Sequence, residues 1–424
     1  MSSFSTSQEA NVNLCLGLSS SQVDEVTIKP EERSVKLIQL LLTCATHASS
    51  GNLHRADLCL QQISQLSSIS GDSMQRLAAR FGAAFAVRLI KRWPGIYKGL
   101  SQSGLISTID IDRGHLIFNQ RLPYMGFAYS IINQTLIHSV SSDPFIHILD
   151  LGSGDPQLYI PFFQNLSNED QEPPSLRITC VHSNKMMLEN LGSILKKEAG
   201  IYGIRMEFNP INISLKNLTL NMLKASRGEA LAVISIFSIH HLLAEDEVGA
   251  NFVTRNTNGV QDCKQLSQFL KMLQSMSPKV VFLVEQESDH NLTRLVDRFV
   301  EGLQFYSALF DSIDATFKTM MDSSSSEQDR FVLEEMFGKE IENIVACEGV
   351  QRFERHERYE KWTIRFDQAG FKPVRLWFDV MKEAKKVVDS YGVSGYKIVN
   401  QKGRDLMICW HDRPIYAVSA WTCF

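Results

Sequence analysis

The stretch Phe145-Ile-His-Ile-Leu-Asp-Leu-Gly-Ser-Gly-Asp-Pro156 constrains this chain more than any other. A short apolar run ends in Asp150 and passes directly into Gly152-Ser-Gly154, which reads as the first strand and turn of a nucleotide-binding βαβ unit. Such a strand needs parallel neighbours, and the chain supplies them. From about residue 145 apolar runs alternate with helical stretches, the signature of a mostly parallel sheet with crossover helices. The predicted strands are 145–151, 176–182, 204–209, 230–237 and 279–284. After a long helical passage come 373–378, 396–399, 405–410 and 415–421, the last two joined by the turn His411-Asp-Arg-Pro414. The expected fold class is α/β, a doubly wound, mostly parallel sheet.

Ahead of the sheet, Leu37, Leu40, Leu41, Cys44 and Ala48 form the stripe of an amphipathic helix that starts near Ser34 and stops at Gly51. The LxxLL spelling at Leu37–Leu41 is read as part of that core stripe. Asn52 caps a second helix with Ala56, Cys59, Leu60, Ile63 and Leu66 on its apolar face. Asp72 and Gln75 have the shape of a capping box for a third, whose stripe is Leu77, Phe81, Ala84 and Arg88 and which Trp93-Pro94-Gly95 stops. Residues 1–33 are expected to be a flexible arm, and 34–424 one domain. Within it, 34–115 would be a helical, leucine-rich cap joined by helices near 290–345, and 116–424 the α/β core. Asn251–Asp262 and Asp322–Asp329 read as loops.

A methyltransferase built on this sheet needs a glycine turn, an acidic side chain after the second strand for the ribose hydroxyls, and groups that position a nucleophile. Gly152 and Gly154 fit, but the third glycine position is Pro156. The second strand, Leu176-Arg-Ile-Thr-Cys-Val-His182, runs into Ser183-Asn184 with no carboxylate. The turn is therefore expected to be vestigial and to bind no cofactor. Asp155 reads as a helix cap. His240-His241 follow the fourth strand, and adjacent residues on a regular element point apart, so a structural role and no metal are expected.

With 44% hydrophobic and 21% charged residues the chain is neither fibrous nor largely disordered. Net charge is −4 and the pI about 6.3, so no overall field attracts nucleic acid. Eight cysteines stand singly, without zinc spacing, and reduced, mostly buried thiols are expected. A secretory leader pattern and an apolar run of about 18 residues are both lacking, so an intracellular, soluble protein with no membrane partner is expected. In the arm, Leu14, Leu16 and Leu18 alternate at a period of two, which would put all three on one side of an extended segment docking into a partner's groove.

Several blocks carry a family resemblance. Leu40-Leu-Leu-Thr-Cys-Ala45, Ser50-Gly-Asn-Leu53 and Gly71-Asp-Ser-Met-Gln-Arg-Leu-Ala78 resemble a first leucine-rich region. Ile146, His147, Ile148, Leu149 and Asp150 resemble a VHIID block, and Leu303–Ser312 a PFYRE region. Arg352-Phe-Glu354-Arg355-His-Glu357 precedes a terminal region in which Trp362, Trp377, Trp410 and Ser419-Ala420-Trp421 resemble the SAW motif. In this order they are the blocks of the GRAS domain of plant transcriptional regulators, and from about residue 34 to 424 the chain resembles that family. Leu89–Lys98, Pro174–His182 and Gly228–Val233 are most similar to the scarecrow-like 3 branch. The chain departs from it at Gly152, where an acidic residue is usual, and at Leu158-Tyr159, where Gln-Trp is usual.

The resemblance implies a methyltransferase-like Rossmann core with an α-helical cap. It also implies a nuclear co-regulator, not an enzyme, that acts as a scaffold in gibberellin signalling and development. Implied partners are other GRAS and DELLA proteins, zinc-finger DNA-binding transcription factors that make any DNA contact indirect, and a Topless-type corepressor at Leu14, Leu16 and Leu18. Homo- or heterodimers are implied as well. Lys196-Lys197 and Lys385-Lys386 are too short for a basic import signal, so import through a partner is expected. Two alternatives stand beside this. One is an S-adenosylmethionine-dependent methyltransferase. The other is direct DNA binding through Arg352, Arg355 and Arg358, although Glu354, Glu357 and Glu360 alternate with them, as on a solvated or salt-bridged helix face.

Overall fold

The first helix begins at Pro30, ahead of Ser34, because a proline at the first helical position gives up only a donor that has no intrahelical partner. The computed structural model describes residues 29–102, 111–167, 173–224, 228–244, 260–319, 325–400 and 403–423. Leu14, Leu16 and Leu18 lie outside them, as does most of 251–262. Ahead of the first strand come α1 (Pro30–Ser49), α2 (Leu53–Leu66), α3 (Ser73–Ile90), α4 (Pro94–Gln102), α5 (Ile111–Arg121) and α6 (Pro123–Val140). α1 buries Leu37, Leu41, Cys44, Ala45 and Ala48, so the LxxLL leucines at its two ends pack inward. Gly51, at φ +76°, closes it. The Asn52 side chain accepts from the Arg55 amide, and Asp72 and Gln75 form the reciprocal capping box of α3. Trp93-Pro94 ends α3, but Pro94 then opens α4.

The sheet is built from β1 (Phe145–Asp150), β2 (Ser175–Val181), β3 (Met206–Ile211), β4 (Ala230–Ile236) and β5 (Val280–Gln286). Between them run α7 (Ile160–Ser167), α8 (Lys185–Ile201), α9 (Leu220–Leu223) and α10 (Lys264–Ser275). Then follow α11 (Leu295–Thr319), α12 (Ser325–Ala346), α13 (Tyr359–Gln368), β6 (Lys372–Pro373), α14 (Phe378–Asp389), β7 (Tyr396–Asn400), β8 (Asp405–Trp410) and β9 (Arg413–Thr422). The strand order is β3-β2-β1-β4-β5-β9-β8-β7, with β6 pairing off β9. β1 to β5 are parallel, and β9 enters antiparallel beside β5. A reversed strand between the fifth strand and its next neighbour is the methyltransferase-type variant of the doubly wound sheet. β4 and β5 are buried along their whole length, as strands covered on both faces must be.

Two expectations are corrected. The predicted strand 373–378 shrinks to β6, because Pro373 cannot donate to a ladder and Val380, Ala384 and Val388 recur at helical spacing and pull the segment into α14. The predicted loop 322–329 is cut short by α12, which is already helical at Ser325.

α11 and α12 pack against the N-terminal helices. Arg76 on α3 places Nε 2.9 and 3.1 Å from the two Glu334 oxygens of α12, and Nη2 2.9 Å from Asp314 of α11. Phe81 meets Phe299 edge-on at 5.3 Å. Tyr416 of β9 ties this layer to the sheet, with Tyr124 of α6 at 4.9 Å and Phe118 of α5 at 5.7 Å.

α8 approaches β3 through Gly192, where an added Cβ would stand 2.5 Å from the Phe208 ring. Gly200, on the same helix, has open space around it. Gly192→Ala is expected to lower stability by roughly 1–3 kcal/mol through overpacking, and Gly200→Ala to leave it unchanged or raise it by roughly 0.5–1 kcal/mol. Urea unfolding of the two variants checks the contrast.

Candidate functional site

The strand order reverses between β1 and β4, and the crevice outside their carboxyl ends is where an open α/β sheet holds a ligand. The glycine turn lies there. Gly152 and Gly154 both have positive φ, +113° and +62°, so glycine is needed at each. Asp150 organises the turn: its Oδ1 accepts from the Gly152 and Ser153 amides at 3.0 and 2.8 Å. Its Oδ2 accepts from the Ser153 hydroxyl and, at 2.5 Å, from Tyr159. Asp155 accepts from the Gln157 amide as a cap, and also from Asn119 and Tyr129. Above Gly154 lies Met187, whose Sδ would be 2.8 Å from an added Cβ. Asn184, at the ribose position, caps α8 through the Met187 amide and donates to Asp112. Asp150 and Met187 thus pack directly on the turn.

The remaining motif residues divide clearly. Ile146, His147, Ile148, Leu149 and Asp150 are all buried in β1, with His147 Nε2 2.9 Å from Thr179 on β2. Trp410 donates to Asp311 at 2.7 Å, and Trp421 donates to Ser419 and stacks on Phe366 at 4.7 Å. Ala420 is buried opposite Phe282. Trp377, in contrast, is 62% exposed and its neighbour Phe378 72%.

The run 352–357 keeps the salt-bridged half of the expected solvated or salt-bridged helix face and corrects the rest, since it is neither helical nor solvated. Among these residues only Gly349–Gln351, just before, forms a 3-10 turn; Arg352 to Glu357 is irregular, and Arg352, Arg355, His356 and Glu357 are buried. The alternation of charge serves internal pairing. Arg352 donates to the His290 carbonyl, and Arg355 to Asn291, the Gly349 carbonyl and the Arg352 carbonyl. Glu357 accepts both arms of Arg365 at 2.6 and 2.9 Å. Arg358 pairs with Glu301. Arg352 and Arg355 are thus spent on internal partners, and of the three only Arg358, with its side chain 42% exposed, reaches solvent.

The same run brings Glu354 to the histidine pair after β4. Phe237, held at φ +49° in the left-handed region, turns the chain into a 3-10 turn at Ile239–Leu243. On that turn His240 and His241 lie with ring centroids 4.3 Å apart, and both face Glu354. The expectation that adjacent histidines diverge is corrected, because it holds for a regular strand or α-helix and not for this turn. His240 Nδ1 faces Glu285 of β5 at 2.8 Å. Burial alone would push the His240 imidazole down, but the charges of Glu285 and Glu354 and the hydrogen bonds to them outweigh it and raise its pKa to about 10. His356, Glu340 and His290 complete the cluster. Burial pushes His290 down to about 3, and burial with the His240 charge lowers His356 well below the usual range. Among the described residues, His240, His241 and Glu354 on one side, and Glu340, Glu354 and His356 on the other, gather ligand atoms of the kind that hold a cation. Only the nearness of His240-His241 to a strand end hinted at this in the sequence.

Two measurements follow from these geometries. Glu301 accepts from Arg413 at 2.7 Å, from Arg358 at 2.9 Å and from Ser288 at 3.1 Å. Burial would raise its pKa, but the hydrogen bonds and charges of the two arginines prevail and hold it at about 2. Because the folded-state value lies below the unfolded one, the stabilisation is complete above about pH 5 and is lost as pH falls toward 2. Discounted for solvent screening around the half-exposed Arg358, that amounts to roughly 1–2 kcal/mol. Denaturant midpoints against pH are expected to fall less steeply in Glu301→Gln over that window. Calorimetry with S-adenosylmethionine is expected to give no saturable heat; micromolar binding that Gly154→Leu abolishes would overturn the reading of the turn as closed.

The GRAS domain family matches residues 37–422. Scarecrow-like protein 3 of Arabidopsis thaliana is 36% identical, over 93% of this chain and 90% of its own. The DELLA protein RGL1 of Arabidopsis thaliana is 31% identical, over 93% of this chain and 71% of its own. Among solved structures, SCL7 of Oryza sativa superposes with a TM-score of 0.73 at 26% identity, covering 91% of this chain and 99% of that one. With the β1 block, the buried Arg352–Glu357 run and the Ser419-Ala420-Trp421 strand all in place, the chain belongs to the GRAS domain family, the plant regulators its motifs resemble.

Proposed function

We propose that the protein is a nuclear transcriptional co-regulator that works as a protein-interaction scaffold in gibberellin signalling and development, and not as an enzyme. The observation that carries this reading is the adjacent pair Trp377 and Phe378, two large aromatic residues left 62% and 72% exposed where α14 begins. An adjacent pair of aromatic side chains, each more exposed than Phe145 at 54% or Trp93 at 48%, suits a partner contact. The filled glycine turn supports the same reading, since its amides and the space above Gly154 serve the fold.

The partners proposed are other GRAS and DELLA proteins, with homo- or heterodimers among them, and zinc-finger DNA-binding transcription factors that carry the complex to DNA. A Topless-type corepressor would take Leu14, Leu16 and Leu18 in an extended groove.

Two experiments test the surfaces separately. Trp377→Ala with Phe378→Ala is expected to reduce capture of a purified DELLA partner roughly tenfold or more, with the thermal midpoint unchanged; undiminished capture would remove the pair from the interface. Replacing Leu14, Leu16 and Leu18 by alanine is expected to abolish repression when the protein is tethered to a reporter promoter, and unchanged repression would sink the role given to the arm.

A further inference from the structure

The cluster at the carboxyl edge of β4 and β5 has the geometry of a ligand set. His240 Nε2 is 3.1 Å from Glu354 Oε2, and His241 Nε2 is 3.6 Å from Glu354 Oε1. All three residues offer ligand atoms within 4.8 Å of one another. Nitrogen and oxygen donors around a tetrahedral zinc ion stand about 2.0–2.1 Å from it, and so about 3.4 Å from each other. Each separation, one to each Glu354 oxygen, is of that order.

A second observation comes from behind the histidine. Metal-bound histidines characteristically give their other ring N–H to a carboxylate, which fixes the tautomer. His240 has that arrangement: Nδ1–H faces Glu285 Oε2 at 2.8 Å, which leaves Nε2 toward Glu354. Glu285 is itself 2% exposed, and its Oε1 has no hydrogen-bond partner among the described residues. A buried carboxylate with an uncompensated oxygen calls for positive charge nearby. Glu354 adds a second, since its own carboxylate faces His240, His241 and, at 3.4 Å, His356. The His241 side chain is 41% exposed, which opens a path from solvent.

We propose that His240 Nε2, His241 Nε2 and the Glu354 carboxylate bind a divalent transition ion of zinc(II) type, with the fourth position open to water. Two imidazoles select against magnesium and calcium, which take oxygen ligands. The ion takes the place of a proton on His240 Nε2, which is released to solvent, while Nδ1–H stays toward Glu285. Bound there, it pins the Arg352–Glu357 run to the end of β4, so that ion binding and the packing of the sheet's carboxyl edge are coupled.

The test uses the full chain, stripped with a chelator and titrated with zinc chloride by calorimetry and with cobalt chloride by visible absorption. One equivalent is expected, with the d–d bands of four-coordinate cobalt and no thiolate charge-transfer band, and the thermal midpoint is expected to rise on adding zinc. His241→Ala, at an exposed position, should keep the metal-free midpoint and weaken zinc roughly tenfold or more; Glu354→Gln should do the same to affinity. Absence of saturable binding would overturn the site and leave a proton-linked ion-pair network. A thiolate band would place the ion on cysteines, and undiminished affinity in His241→Ala would place it elsewhere; either result also overturns it.

Discussion

The burial of Arg352 to Glu357 is the constraint on which the carboxyl side of this molecule depends. A charged run inside a protein is tolerated only if each group finds its partners there, because isolated buried charge costs several kcal/mol per ion. Here the partners come from every neighbouring layer. Asn343 of α12 accepts from the Phe353 and Glu354 amides, Arg365 of α13 clamps Glu357, and the loop after β5 supplies the His290 carbonyl and Asn291. Removing one partner strands the others. The run therefore acts as an internal rivet between the sheet edge, α12 and α13.

The glycine turn and the histidine cluster lie on the same edge of one sheet and have opposite characters. At the turn, Asp150, Tyr159 and Met187 bring polar and apolar groups together until little is unsatisfied. In the cluster, three carboxylates and four histidines crowd together with opposed pKa shifts, and Glu285 keeps an uncompensated oxygen. Perturbed titrating groups in a crevice mark chemistry or ligand binding more often than packing does.

Where the sequence could be read, local physics decides the local structure. The caps at Asn52 and Asp72, the Gly51 stop, the parallel strands and the Trp421 strand all follow from period, cap chemistry and proline. The two misreadings differ in cause. At 352–360 charge alternation at helical spacing is indistinguishable from a solvated helix, since the sequence does not say that the groups facing these side chains are themselves charged and buried. At 373–378 an apolar run with aromatic residues looks like a strand, and only Pro373 and the stripe of α14 turn it into a helix start.

By itself the sequence determined the family, the doubly wound sheet and the amphipathic helices, because these rest on short-range periodicity and on motif residues at fixed spacing. Tertiary structure alone decided that His240, His241, Glu285, Glu340, Glu354 and His356 meet at one point. They come from a 3-10 turn, a strand, a helix and an irregular run spread over more than a hundred positions, as the His240–Glu354 contact spans 114 residues. Only the closing of the sheet on α12 and on the buried run brings such distant groups within hydrogen-bonding reach.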